Sequence, residues 1–108
     1  MKQVIRTPTN KIDSNNHIVR LRRQISPILR EHGVTRASLF GSFARGEETD
    51  TSDLDVLVEF KKGKSLLDLV GLKQALENKT GRRVDVVTYR ALHPLLRESI
   101  LKEQISLL

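Results

Sequence analysis

Asp53 and Asp55 flank a single leucine, and ten residues separate them from the pair Gly41-Ser42. Carboxylates at i and i+2 of an extended segment project from one face, close enough to share cations. Without a cation they repel one another, and one pKa rises unless a dication compensates. All-oxygen ligation selects Mg²⁺ or Mn²⁺ over zinc. Taken alone, the pair also fits the solvent side of an amphipathic strand; its company favours a site. Gly41-Ser42 falls between a strand and a short helical turn, where backbone N–H groups and a small hydroxyl can approach phosphate oxygens. A third acid, Asp85, stands among Val84, Val86 and Val87, where an aspartate is a poor strand former and costly to cover without a partner. If its strand neighbours the Asp53 strand with matching faces, three carboxylates converge. Two can then bridge a pair of cations, while the third ligates one of them and takes the proton of an attacking hydroxyl. Arg45 follows the glycine-serine turn, placed to neutralise phosphate or a leaving group; a solvated surface arginine is the equal alternative.

These residues need elements to position them. Residues 1–14, with Thr7-Pro8-Thr9-Asn10, show no sustained period and are expected to form a mobile arm, leaving 15–108 as the domain. From Asn15, Ile18, Leu21, Ile25, Ile28 and Leu29 recur at helical spacing up to about His32, and Gly33 ends the run. Pro27 either kinks this helix or opens a second one capped by Ser26. Val34 to Phe40 reads as a strand, and Asp53 to Phe60 is the clearest one, with Leu54, Val56, Val58 and Phe60 facing away from Asp53, Asp55, Leu57 and Glu59. Ser65 and Asp68 open a helix through about Lys79 with a stripe of Leu66, Leu69, Val70, Leu72 and Leu76. Arg82 to Thr88 is a third strand, and Leu92 to about Ser106 a closing helix carrying Leu96, Ile100, Leu101 and Ile105. The order predicts an α/β or α+β domain, a small sheet covered by helices.

Gly41-Ser42, the Asp53-Leu54-Asp55 run, Asp85 on a later strand and the wording Phe-Gly-Ser-Phe-Ala-Arg-Gly at 40–46 resemble the minimal nucleotidyltransferases of the DNA polymerase β superfamily, over roughly residues 18 to 105. The resemblance implies the nucleotidyltransferase fold, a short mixed β-sheet flanked by α-helices. It also implies transfer of a nucleoside monophosphate from an NTP to a hydroxyl, releasing pyrophosphate. By motif position Gly41 and Ser42, with Arg45 nearby, would hold the triphosphate of ATP. Asp53 and Asp55 would hold two Mg²⁺ ions, and Asp85 would take the third-carboxylate role, ligating and catalytic. Stand-alone members of this size are similar to the antitoxins of HEPN/MNT toxin–antitoxin pairs, which implies AMP transfer to a tyrosine of a HEPN toxin partner. Neutralisation of that partner by contact alone is the second reading.

Composition bounds the rest. The 108 residues, 12.3 kDa, make one domain with no room for a second substrate-binding unit. The absence of cysteine excludes thiol nucleophiles, thiolate zinc sites and disulfides. With no apolar run of membrane length and no secretory-type start, a cytoplasmic protein is expected, with no membrane partner. The net charge of +6 splits into +5 over 1–33, −4 over 34–60, +5 over 61–90 and zero over 91–108. An acidic centre between basic flanks suits carboxylates beside a polyphosphate better than a duplex-binding surface, so direct nucleic-acid binding is not expected. Self-association stays open. His17, His32 and His93 lack ligand spacing, Lys62-Gly63-Lys64-Ser65 lacks the earlier glycine of a P-loop, and Tyr89 reads as support for the last helix or a base-stacking group. Small-molecule nucleotidylation would ordinarily require an added helical acceptor domain.

Overall fold

The computed structural model describes the backbone of residues 7–108 and side chains from His17 onward. Helix α1 (Thr7–Glu31) leads into strand β1 (Val34–Phe40), the short helix α2 (Gly41–Arg45) and strand β2 (Leu54–Phe60). Helix α3 (Leu66–Thr80), strand β3 (Val84–Thr88), a single 3-10 turn (Tyr89–Ala91), helix α4 (Pro94–Glu103) and strand β4 (Ile105–Ser106) complete the chain. The sheet order is β3-β2-β1-β4. β2 and β3 run parallel, with α3 as the crossover between them, and the other pairs are antiparallel. The residue pattern predicted a small sheet covered by helices, and the family resemblance implied that it would be mixed; the fold has both features.

Alternation along the strands sends two sets of side chains to two faces. Leu54, Val56 and Val58 of β2 join Ala37 and Leu39 of β1 and Val84 of β3 under Leu21, Ile25 and Leu29 of α1 and Leu72 and Leu76 of α3. Each large aliphatic buried here is worth roughly 1.5–3 kcal/mol. The opposite face is thinner. Leu57, fully buried, packs with Tyr89 and Leu92, and Phe40, Val87, Ile100 and Leu101 press on this cluster. Tyr89 is thus core support: its hydroxyl lies 3.0 Å from Ser38 Oγ, and the Arg36 guanidinium stacks on its ring.

Several boundaries differ from expectation. Helical backbone begins at Thr7 rather than Asn15, and residues 1–6 of the expected arm lie outside the described residues. Pro27 sits inside one continuous helix. Its neighbour Ser26 donates to the Arg22 carbonyl at 2.6 Å and the Leu107 carbonyl at 2.9 Å, fixing the helix to the chain end. The α3 stripe is buried only in its second half: Leu66 is 74% exposed and Val70 41%. The closing helix stops at Glu103, and Ile105 and Ser106 pair with Leu39 and Ser38 instead. Tertiary contacts outweigh helical periodicity there. β1 has an open edge, Leu107 N–H donates to the Ala37 carbonyl at 2.9 Å, Arg22 donates twice to the Ser106 carbonyl, and Leu107 enters the core.

Candidate active site

Strand register decides which acids meet. Parallel pairing sets Asp55 beside Asp85, and antiparallel pairing sets Phe40, the residue before Gly41, beside Asp55. A bond from Leu54 N–H to the Arg83 carbonyl at 2.8 Å locks the β2–β3 register where the acids begin. Neighbouring residues in register on adjacent strands face the same way, so Asp55 and Asp85 share a face. Asp53, two residues before Asp55, ends the loop that enters β2.

The electrostatics match that placement. The Asp55 carboxyl is pushed from its ordinary 3.8 up to about 6, first by burial, then by the negative charges of Asp85 and Asp53 and by the hydrogen bond its protonated form donates to Asp85, with Arg45 opposing. A half-buried carboxyl repelled by two others is a place where added positive charge is strongly favoured. Asp85 itself is exposed, on an edge strand, so it needs no burial partner. Asp53 is turned toward the Arg83 guanidinium, 3.8 Å from its Nε. In this arrangement no three His, Cys, Asp or Glu side chains among the described residues already form a ligating group. The Asp53–Arg83 contact is largely exposed and worth little in solvent, so it holds Asp53 only weakly. The donor set, oxygen-only and mutually repelling, fits a hard divalent cation.

Gly41 is fitted to this spot. Its φ of +71° lies in the left-handed region, and a Cβ there would collide with Oδ2 of Asp55. The backbone can therefore turn directly over the carboxylate, which keeps Gly41 and Ser42 next to the acids. Ser42 is half-buried, and its carbonyl accepts the Glu47 N–H at 2.9 Å, closing α2. Arg45 is half exposed and held by Glu47 Oε1 at 2.8 Å and Glu103 Oε1 at 3.2 Å. All six sequence-derived residues thus stand at one end of the sheet.

Two positioning residues were not legible in the sequence. Arg82 donates to the carbonyls of Thr49, Asp50 and Ser52 at 3.1, 3.3 and 3.1 Å and lies over the Phe43 ring, holding the loop that delivers Asp53. Glu103, from α4, accepts from Gly41 N–H and from Arg45. Both act on residues remote from them in the chain, so no local motif could signal them. The 520 Å³ cavity beside α1, lined by residues including His17, Arg20, Phe43 and Arg82, contains none of the acids; Asp85 is exposed, and Asp53 and Asp55 are partly so.

A mixed sheet with Asp55 on β2 and Asp53 just before it, a third aspartate on the parallel neighbour and a glycine-serine bend against Asp55 has the layout of a nucleotidyltransferase. Comparison with known proteins agrees. The family model described as "Nucleotidyltransferase domain" matches residues 22–107, so the chain belongs to the nucleotidyltransferase domain family. An assigned protein adenylyltransferase of Methanocaldococcus jannaschii is 56% identical over 92 residues, covering 85% of this chain and 99% of the relative. A protein adenylyltransferase of Thermococcus cleftensis is 40% identical over 78 residues, covering 71% of this chain and 79% of the relative. A solved structure assigned as a minimal nucleotidyltransferase superposes with a TM-score of 0.73 at 46% identity, covering 83% of this chain and 92% of its own. The MNT antitoxin complex with tri-AMPylated HEPN toxin of Shewanella oneidensis contains the same fold, with a TM-score of 0.66 at 20% identity, over 84% of this chain and 71% of the other. No helix among the described residues is long and apolar enough to cross a membrane.

Proposed function

We propose that this nucleotidyltransferase, with 15–108 as its minimal domain, transfers AMP from ATP to a tyrosine hydroxyl of a HEPN toxin and acts in the cytoplasm as that toxin's antitoxin. The observation that carries the reading is the Asp55–Asp85 register with Asp53 adjacent and Gly41 turned against Asp55. The similarity to protein adenylyltransferases and to an MNT antitoxin supports the acceptor class. Because Asp85 is exposed and Asp53 partly so, a docked protein surface can bring a hydroxyl to them.

Asp53, Asp55 and Asp85 would hold two Mg²⁺ ions, which supply charge neutralisation at the α-phosphate and the attacking oxygen. Gly41 N–H, the Ser42 hydroxyl and the Arg45 guanidinium bind and orient the triphosphate tail. The acceptor oxygen forms a bond to the α-phosphorus as the bond to the β-phosphate bridging oxygen breaks; Asp85 takes the hydroxyl proton, and pyrophosphate leaves past Arg45. A carboxylate base in that position is worth about 10²–10⁴-fold in rate.

The test incubates the purified chain with α-labelled ATP, Mg²⁺ and the product of its neighbouring gene. Label on a HEPN tyrosine, lost in the double variant Asp53→Asn plus Asp55→Asn, is expected. No label with the unaltered chain, or undiminished label with the variant, overturns the reading; a double variant that still neutralises the toxin in cells favours the contact-only antitoxin.

A further inference from the structure

We propose that Glu103, at the C-terminal end of α4, is a carboxylate latch on the phosphate donors, which an incoming triphosphate must displace. The inference rests on the reading of Gly41, Ser42 and Arg45 as the triphosphate cradle and adds to it a residue remote from the motif. One oxygen of Glu103, Oε1, accepts from the Gly41 N–H at 3.3 Å and from Arg45 Nη1 at 3.2 Å. A single anionic oxygen shared by a backbone N–H and a guanidinium is the position a phosphate oxygen would take between the same two donors. Glu103 and the triphosphate therefore compete for one place.

The contact is built to be released. Both bonds are longer than the roughly 2.7–2.9 Å of strong charge-assisted pairs, and the Glu103 side chain is 27% exposed. Arg45 keeps Glu47 at 2.8 Å when Glu103 withdraws, so its guanidinium stays oriented. Glu103 is the last residue of α4, so rotation of its side chain withdraws the carboxylate while Ile100 and Leu101 stay packed on the Leu57 cluster. Held in place, the latch satisfies the Gly41 N–H and Arg45 while the cradle is empty. Once a triphosphate or the product pyrophosphate binds, the carboxylate is repelled and waits beside it, which weakens retention of both. The residue thus sets nucleotide affinity and speeds release of the leaving group.

The test is calorimetric titration of the full chain with AMP-PNP and Mg²⁺, comparing the unaltered protein with E103Q, E103A and the same-helix charge control E98Q. E103Q should bind about fivefold more tightly, the loss of one solvent-screened charged competitor, with E103A at least as tight, E98Q unchanged and all melting temperatures close to the parent. Equal or weaker binding by both Glu103 variants overturns the latch and makes Glu103 a support for Arg45. Equal tightening in E98Q also overturns it, assigning the effect to net charge. If none of the four proteins binds AMP-PNP, the cradle reading itself fails, and the latch with it.

Discussion

Replacing Asp55 by asparagine should stabilise the fold while removing activity, because the charge that serves the site opposes folding. Its carboxyl is raised from 3.8 to about 6 by burial and by Asp85 and Asp53. At about 1.36 kcal/mol per pH unit, a shift of roughly two units corresponds to about 3 kcal/mol. The side chain is only half-buried, so solvent screening reduces this to about 1–1.5 kcal/mol. The sign follows from proton binding: folded Asp55 holds its proton more tightly than the unfolded chain does, so ionisation disfavours the native state. The penalty is absent below pH 3.8, grows up to about pH 6 and is complete above it. The amide that Asp55→Asn introduces carries no charge and can donate to Asp85. Urea and thermal unfolding should therefore show the variant more stable near pH ~7.5 by about 1 kcal/mol, or about 5 °C, with only about a third of that gap left near pH ~4.5. Equal stability near pH ~7.5, or a gap undiminished in acid, refutes the convergence of the three acids.

Three other outcomes follow from the same geometry. Gly41→Ala should lose at least about 100-fold in transfer rate and about 1–2 kcal/mol in stability, since a left-handed φ and the Asp55 oxygen both oppose a Cβ; measured kcat and unfolding midpoints near parental values contradict it. The Mg²⁺ concentration that transfer requires should rise as pH falls below about 6, because protons compete with the cation for Asp55, and EDTA should abolish transfer with recovery on added Mg²⁺; a Mg²⁺ requirement unchanged between pH ~7.5 and pH ~5, or EDTA-resistant labelling, counts against the site. Leu107→Ala should cost about 2–4 kcal/mol by urea unfolding because Leu107 is 1% exposed and joins the core between β1 and α1; a cost below about 1 kcal/mol would mean the terminal strand contributes no packing.

The acids, the glycine and the strands bearing them were legible because their signals are local. Alternation at 54–60 assigned Leu54, Val56 and Val58 to one face and Asp55 to the other, and the fold keeps that division. Periodicity failed where nonlocal contacts competed with it. Ile105 belongs to a helical stripe on paper, yet the open edge of β1 and the carbonyl-seeking Arg22 and Ser26 draw the chain end onto the sheet, with Ile105 and Ser106 as the strand. The first turn of α3 likewise opens the predicted apolar stripe with Leu66, which faces solvent.

Residue type and spacing by themselves determined the groups at hand: carboxylates at i and i+2, a glycine-serine bend and no thiol. Tertiary structure alone decided that Asp85 stands beside Asp55, that Asp53 rests on Arg83, and that Glu103 reaches the bend from the far end of the chain. Side-chain direction is a property of a few adjacent residues and can be read from them, whereas strand pairing and helix docking are set by burial summed over the whole chain.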